Sequence, residues 1–568
     1  MNLRRTVGGL AGAAAMIALV NVASRVVGFA RWLAQASEVG PTSLGDAYNS
    51  ANALPNVLFE VIAGGALASV VVPLLAVPLA RSLRRDVDTV ASALLGWALA
   101  ALVPLGGLVA LTARPLVWAF MRGASEAEVA VAAQLLQMFA LQIPLYGVGL
   151  VLTGVLQAHR RFFWPALAPL LNSLVVIGAL LVFGSRVTDP AVEPTQVAGD
   201  ALAVLGWGTT AGVAVMSLPL LVPVHRLGVR LRPTLRFPAG VASRARSLAL
   251  AGIGALVAQQ LSVVVTLALA NRYGTDGTWP VVLYTQAVYV LPYAVLAFPL
   301  ATAALPRLAE HAANGDAPAF AGLSARTTRA VLAASVLGAA VLAAVAPAVE
   351  AVFDAVVPGG ADVSGMAAGL TWMAPGLLGF GLILHVSRAL YVLHRGRAAV
   401  TATALGWVVV AGVAVLAVAA LTGGDRDRIG TLAGLGVATT VGMTVAGVGL
   451  LVGLVRAAGV AAVAGVARTG AVAVSGGLVG AVVGRWVVEA LTGDRWTTAV
   501  GAALVGALVV AASMAAGSAV GDRGLWAALR GGSDTGPEPE PQTGPGGGSD
   551  AESDTRPESR PGDVRPVG

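Results

Sequence analysis

The chain has no cysteine and no lysine among its 568 residues, and only 11% of them are charged. Without cysteine there is no disulfide, no thiolate metal site and no cysteine nucleophile. Without lysine the phosphate-cradling G-x-x-x-x-G-K-[ST] sequence cannot exist, so ATP bound in that way does not drive this chain. The five histidines show no H-x-x-x-H spacing to seed a metal site. Neither G-x-S-x-G nor H-E-x-x-H occurs, which removes the main support for a membrane hydrolase. Soluble domains carry about 25% charge. Here 57% of residues are hydrophobic and the mean hydropathy is +0.81, so long stretches have nothing with which to face water. The composition predicts an all-α polytopic membrane protein. All 36 basic residues are arginine, the bias of a GC-rich genome.

A helix needs roughly 20 apolar residues to cross a ~30 Å hydrocarbon core. Fourteen runs meet that length, at about 8–33, 44–79, 87–113, 126–157, 164–184, 199–224, 243–271, 280–308, 321–347, 363–393, 398–421, 429–455, 460–490 and 496–520. The second exceeds one span, so a tilt or a break at Pro55 or Gly64-Gly65 is expected. The first follows Arg4-Arg5 like a signal peptide but continues into Arg25, and is read as a retained span. Arginines cluster in alternate connections: Arg81 to Arg85, Arg160-Arg161, Arg226 to Arg246, Arg307, Arg395 with Arg397, and Arg456. The positive-inside rule places these in the cytoplasm with both termini. The same clusters account for the net charge of +7 as topology and anionic-lipid contact, with no nucleic-acid patch. Gly532 to Gly568, rich in Pro, Gly, Ser and acids, is expected to be a disordered cytoplasmic tail.

Two segments recur. Leu156 to Arg161, closing the fourth span, reappears as Leu390 to Arg395 at the close of the tenth, with His159 and His394 placed 235 apart. Ala53-Leu54-Pro55, leading to Pro73, echoes Val290-Leu291-Pro292, leading to Pro306, and the leading prolines stand 237 apart. Spans 1–6 and 7–12 therefore read as two copies of one unit. Six is even, so the copies share an orientation about an axis along the membrane normal, as in transporters that hold substrate between rocking halves. The expected divisions are 1–236 for the first lobe, 237–457 for the second, 458–522 for two further helices and 523–568 for the tail.

Ionisable groups inside spans are costly unless they face a cavity or a partner. Arg25 and Arg31 close span one. Arg31 suits either an interfacial snorkelling position or a cavity, while Arg25 lies roughly 9 Å deeper by helix rise. Six residues apart, they serve one site only if Gly28 bends the helix or their side chains converge. In span two Asp46, Asn49, Asn56 and Glu60 fall at about 0°, 300°, 280° and 320°, one polar stripe. A water-filled cavity is expected there, with interhelical hydrogen bonding as the alternative, and Asp46 is placed to pair with Arg25 or Arg31. Arg272, His385 and Arg388 sit near span ends. Gln142, Asn172, Gln259, Gln260 and Gln286 read as helix–helix contacts. Arginines outnumbering acids suit an anionic ligand, since guanidinium grips phosphate with a rigid fork.

The residues now resemble a known family. Ser24-Arg25-Val26-Val27-Gly28-Phe29-Ala30-Arg31, Asp46-Ala47-Tyr48, Leu54-Pro55-Asn56 and Gly64-Gly65-Ala66-Leu67 with Pro73 are similar to the N-terminal signature of the MurJ (MviN) lipid II flippases. Gly154 to Phe162 with Pro165-Ala166-Leu167-Ala168-Pro169, Leu205-Gly206-Trp207-Gly208 and Leu305-Pro306-Arg307-Leu308 extend the match over spans 1–12. The resemblance, to a divergent, actinobacterial-like member, implies a MOP-superfamily fold of two six-helix lobes plus two C-terminal helices. It implies a transporter, not an enzyme, in the bacterial cytoplasmic membrane. The implied substrate is lipid II, an undecaprenyl-pyrophosphate disaccharide-peptide moved from inner to outer leaflet by alternating access. No cofactor or metal is implied; membrane potential or a monovalent ion is left to reset the cycle. Membrane lipids are expected partners, and the tail is a candidate dock for cell-wall synthesis proteins. By position, Arg25, Arg31 and Asp46 match cavity residues of the family.

Two departures stand out. Where the family often has arginine after Pro-Asn-x-x, this chain has Phe59 and then Glu60. Where many members place Arg and Glu in span eight, it has Ala287 and Val290. Arg272 and Arg388 are the expected replacements. The expected substrate-binding set is therefore Arg25, Arg31, Asp46, Asn49, Asn56, Glu60, Arg272 and Arg388. The alternatives are a flippase for another polyprenyl-linked glycan, a MATE-like cation or drug antiporter centred on Asp46 and Glu60, and a non-transporting scaffold.

Overall fold

Lipid offers a peptide group no hydrogen-bond partner, so an apolar run closes its own ladder as a helix. The computed structural model describes residues 3–61, 68–187, 194–237, 241–357, 361–493 and 495–521, and among these it has helices and no strand. In the first half α1 (Leu3–Glu38) runs unbroken through Arg25, Gly28 and Arg31, and α2 (Ser43–Phe59) passes straight through Pro55. Then come α3 (Ala68–Ala80), α4 (Arg84–Leu111), α5 (Ala113–Phe120), α6 (Glu126–Phe139), α7 (Gln142–Ala158), α8 (Phe163–Gly184), α9 (Gly199–Ser217) and the short α10 (Leu221–Arg226). The second half holds α11 (Val241–Tyr273), α12 (Thr278–Pro292), α13 (Phe298–Ala313), α14 (Ala317–Asp354), α15 (Met366–Met373), α16 (Leu377–Val392), α17 (Gly396–Thr422) and α18 (Arg428–Ala458). The last pair is α19 (Val466–Leu491) and α20 (Trp496–Gly521).

Twelve helical stretches among the described residues are long and apolar enough to cross a membrane, from Arg84–Leu111 to Trp496–Ala519. They coincide with the last twelve expected spans. The first two expected spans fall on α1 and on α2 with α3. Gly64-Gly65 and the expected tail lie outside the described residues.

Each half contributes its own clusters, and the one around Tyr284 also takes in Ala36 of α1, with Phe29, Trp32 and Leu33 packed against it. In the first, Leu44, Leu135, Phe139 and Phe183 pack together, and Leu75, Leu94, Leu152 and Leu156 form a second cluster. In the other half Tyr284, Phe353, Met366 and Leu432 share one core, and Leu308, Val386, Leu390 and Leu450 another. α19 and α20 lie against α14, with Ala348 packed on Val488 and Ala499, and Ala344 on Val510. Apolar side chains also cover the outside: Leu111 is 87% exposed and Leu416 72%. In water that surface would be a liability, and in a bilayer it is the solvent-facing side.

Backbone geometry chooses between the two registers in the sequence, 234 from Leu156 to Leu390 and 235 between the histidines. Two residues past the end of α7 Arg160 has φ 59°, and two past the end of α16 His394 has φ 57°. Arg160 N donates to Gln157 O at 2.9 Å and Arg161 N to Leu156 O at 2.8 Å; His394 N donates to Tyr391 O at 3.0 Å and Arg395 N to Leu390 O at 2.8 Å. These are the same Schellman cap twice. Arg160 therefore matches His394, an interval of 234, not the 235 obtained by matching histidines. The cap places a position by its conformation, whatever side chain occupies it. At the opposite face Gly40 (φ 70°) and Gly277 (φ 82°) are both left-handed and stand 237 apart, the interval of Pro55 and Pro292.

Candidate functional site

The two equivalent glycine loops meet. A side chain at Gly277 would collide with Pro41 O, and one at Gly45 with Gly40 O. This close approach brings the first turn of α2 to the start of α12, whose leading N–H groups need acceptors. Asp46, only 7% exposed, supplies them from the other half of the molecule. Its Oδ2 accepts from Gly277 N at 2.5 Å and its Oδ1 from Trp279 N at 3.0 Å. A buried carboxylate is costly when unpaired, but here it faces two backbone donors and the positive end of a helix dipole. Asp46 therefore does not pair with Arg25 or Arg31, contrary to expectation: its oxygens are taken by the α12 terminus.

Further contacts brace the latch. Asn271 Nδ2 donates to Ser50 Oγ at 3.3 Å, and Ser43 Oγ donates to Asp276 Oδ2 at 3.5 Å. Asp276 also receives Arg426 Nη2 at 3.0 Å, and Arg428 donates to the carbonyl oxygens of Asp276 and Asp362. In the loop before α15, partial burial pushes the Asp362 carboxyl upward, but the Ser364 amide and hydroxyl with the Arg428 guanidinium hold it below the usual range. The loop that receives Asp46 is thus anchored to the start of α18. In this cysteine-free chain, Ser43→Cys with Asp276→Cys is expected to lock the latch on oxidation. The double variant should lose function under oxidant and regain it with reductant, while each single variant is indifferent. Equal function of the double variant in both conditions would show that the latch never opens.

Beside the latch, and extending away from it along α2, lies a cavity of about 560 Å³. Asn49, Asn56 and Glu60 line it, as the polar stripe predicts, together with Arg31 of α1, while Asp46, the fourth member of the stripe, does not. Arg31 is half-buried with its guanidinium 5.1 Å from the Trp32 ring centre, so it does not snorkel to an interface. Its Nε is buried with no hydrogen-bond partner among the described residues, an orphan donor that a bound acceptor would satisfy. Asn49 Oδ1 accepts from Gln35 Nε2 at 3.0 Å, and Asn56 Oδ1 accepts from the Tyr146 hydroxyl at 3.0 Å. Asn56 and Glu60, furthest along α2 from the latch, are exposed.

Several expectations about neighbouring residues change. Gln142, Asn172, Gln260 and Gln286 line the cavity, so they are not simply helix–helix contacts, although Gln142 Nε2 also donates to Thr210 Oγ1 at 3.2 Å. Gln259 is not among the lining residues. Arg25 does not converge with Arg31, because α1 stays helical through Gly28. Instead Arg25 lies 5.7 Å from the Phe298 ring centre, and Arg388 lies 6.0 Å from the same centre. Arg388 Nη1 also donates to Thr302 Oγ1 at 3.3 Å. One ring thus gathers an arginine from each half, a cation–π pairing the sequence did not signal. Arg272 is at the wrong end for a replacement: exposed at the close of α11, beside the latch, its guanidinium lies 5.4 Å from the Tyr273 ring centre. His385 is 1% exposed, not interfacial. Gln35, Asn52, Tyr146 and Trp279 also line the cavity; as ordinary helix residues they carried no signal of it.

A fold of this kind is shared with MOP-superfamily transporters. The chain superposes on an inward-facing multidrug resistance MATE family transporter of that superfamily with a TM-score of 0.61 at 17% identity, over 77% of this chain and 98% of that one. It superposes on a lipid II flippase MurJ in an inward closed conformation with a TM-score of 0.68, again at 17% identity, over 89% of this chain and 98% of the other. The family model described as lipid II flippase MurJ matches residues 35–503, and this multi-pass membrane protein belongs to that family. The probable lipid II flippase MurJ of Rhizobium tropici is 26% identical over 318 residues, covering 54% of this chain and 57% of that protein. The lipid II flippase MurJ of Burkholderia cenocepacia is 28% identical over 318 residues, covering 53% and 57%. The alignments thus span little more than half the length of these relatives.

Proposed function

We propose that this protein moves lipid II, an undecaprenyl-pyrophosphate disaccharide-peptide, from the inner to the outer leaflet by alternating access. The observation that carries the reading is a polar cavity with an orphaned arginine donor, closed at one end by hydrogen bonds between the two halves. Residues 1–236 and 237–457 act as the moving lobes, and 458–522 as two accessory helices. The arginine-rich face lies at the cytoplasmic leaflet with both termini. The latch then closes the outer side, and the exposed Asn56 and Glu60 mark the way in. Arg31 holds the pyrophosphate; Arg25 and Arg388 receive it at Phe298 nearer the arginine-rich face. Arg388 stands in for the arginine missing from span eight. No cofactor takes part, and membrane potential or a monovalent ion resets the lobes. The tail is a dock for cell-wall synthesis proteins.

Depletion in the native host, with assay of lipid II in each leaflet, tests this reading. Inner-leaflet accumulation rescued by the wild type and not by Arg25→Ala is the expected result. Normal lipid II distribution after depletion would overturn it in favour of another polyprenyl-linked glycan. A MATE-like cation antiporter is the second reading, favoured by Glu60, which lines the cavity and makes no ion pair among the described residues. That reading requires Glu60→Gln to abolish transport, whereas lipid II transport should survive it.

A further inference from the structure

A second cavity, of about 500 Å³, lies between α17 and α18, away from the one described above. Its volume falls in the ordinary range of ligand sites. Arg395, just before α17, and Arg456, in the last turn of α18, stand at its mouth on the arginine-rich face, and both are exposed. Among the described residues neither is paired with a carboxylate. From there the walls are apolar or small: Ala398, Ala402 and Leu405 on one helix, Gly453 and Gly449 on the other.

The groove is a wedge with a physical origin. Deep in the helix pair the backbones nearly touch: a methyl added at Gly442 would lie 2.6 Å from Gly406 O. Nearer the mouth the contacts loosen, with a methyl at Gly449 lying 3.1 Å from Ala402 Cβ and one at Gly453 lying 3.5 Å from Ala398 Cβ. The helices therefore splay toward the arginines. From Arg395 to Leu405 the groove descends about 15 Å by helix rise, half of a ~30 Å hydrocarbon core. Two cations at headgroup level over an apolar cleft one leaflet deep match an anionic phospholipid, phosphate up and acyl chain down.

We propose that the α17–α18 groove is a binding site for an anionic diacyl phospholipid, its phosphate between Arg395 and Arg456. The site needs only that the arginine-rich face lie at a leaflet surface, and is independent of what the main cavity carries. A lipid lodged in the open end of the wedge would hold these helices at their present splay while the lobes move.

The test measures retention of dioleoyl phosphatidylglycerol by the full chain in detergent, using native mass spectrometry, with dioleoyl phosphatidylcholine as competitor. The wild type is expected to retain phosphatidylglycerol preferentially. Arg395→Gln with Arg456→Gln should weaken retention about 30-fold, taking each arginine at a charged lipid surface as worth about fivefold. Gly453→Leu, which fills the cleft and keeps both charges, should weaken it comparably. Arg397→Gln, in the first turn of α17 but not lining the groove, should leave it unchanged. Thermal melting of each variant separates lost binding from lost folding. Equal retention of the two lipids by the wild type, or an equal loss in Arg397→Gln, would overturn the site. So would unchanged retention in Gly453→Leu, or displacement of the lipid by inorganic phosphate alone, since either removes the acyl cleft from recognition.

Discussion

Arg31→Ala is expected to lower affinity for a polyprenyl-pyrophosphate ligand by at least about 100-fold, the loss of two charge-assisted hydrogen bonds at roughly 1.5–3 kcal/mol each. The residue is half-buried in the cavity wall and its Nε has no acceptor among the described residues, so it is a donor that a guest would satisfy. Arg31→Lys keeps the charge but replaces a flat fork by a point, and should recover binding only in part. Binding of a short-chain polyprenyl pyrophosphate to purified protein separates these cases. A purely structural Arg31, acting through its stacking on Trp32, predicts a lowered melting temperature and unchanged affinity. That outcome would move the phosphate site to Arg25 and Arg388.

Asp46→Asn is expected to open the latched end. The amide keeps the shape of the carboxylate but offers one acceptor instead of two, and it loses the charge facing the α12 terminus. Two charge-assisted bonds weaken at once, and a cost of roughly 3 kcal/mol would shift a two-state equilibrium by about 100-fold. Thr278, fully buried beside the latch, gives the readout as Thr278→Cys in a chain with no other thiol. A water-soluble maleimide should label it slowly in the wild-type background and up to about 100-fold faster with Asp46→Asn. Equal labelling rates would mean that Asp46 stabilises both states alike and is no latch. Transport should fall too, because a molecule resting open to the outside returns to the loading state too rarely.

The span pattern was legible because a bilayer imposes one rule on every crossing: about 20 apolar residues with their own hydrogen bonds. Runs such as 84–111 and 496–519 obey it without reference to anything else in the chain. The repeat was legible in Pro55 and Pro292 and in the leucine-to-arginine segments that close the fourth and tenth spans. Only the pairing of the two histidines was out, by one residue, because the cap is a backbone conformation that Arg160 and His394 both adopt. The polar stripe on α2 was legible in Asn49, Asn56 and Glu60, which share a face of one helix.

The partner of Asp46 was not legible. It consists of two peptide N–H groups more than 230 positions away, and every residue except proline carries such a group. Arg25 and Arg388 were found as charges, but their meeting at Phe298 depends on packing between halves, as does the placing of Arg272 beside the latch. The glutamines failed for a related reason: an amide in a span serves helix contact or cavity equally well, and only the space beside it distinguishes the two. By itself, then, the sequence determined the membrane as solvent, the helices, the duplication and which residues are too polar to face lipid. Tertiary structure decided which polar groups satisfy one another and which are left for a guest. That division follows from the physics, since hydrophobic burial is written along the chain while hydrogen-bond pairing across a bundle is set by three-dimensional proximity.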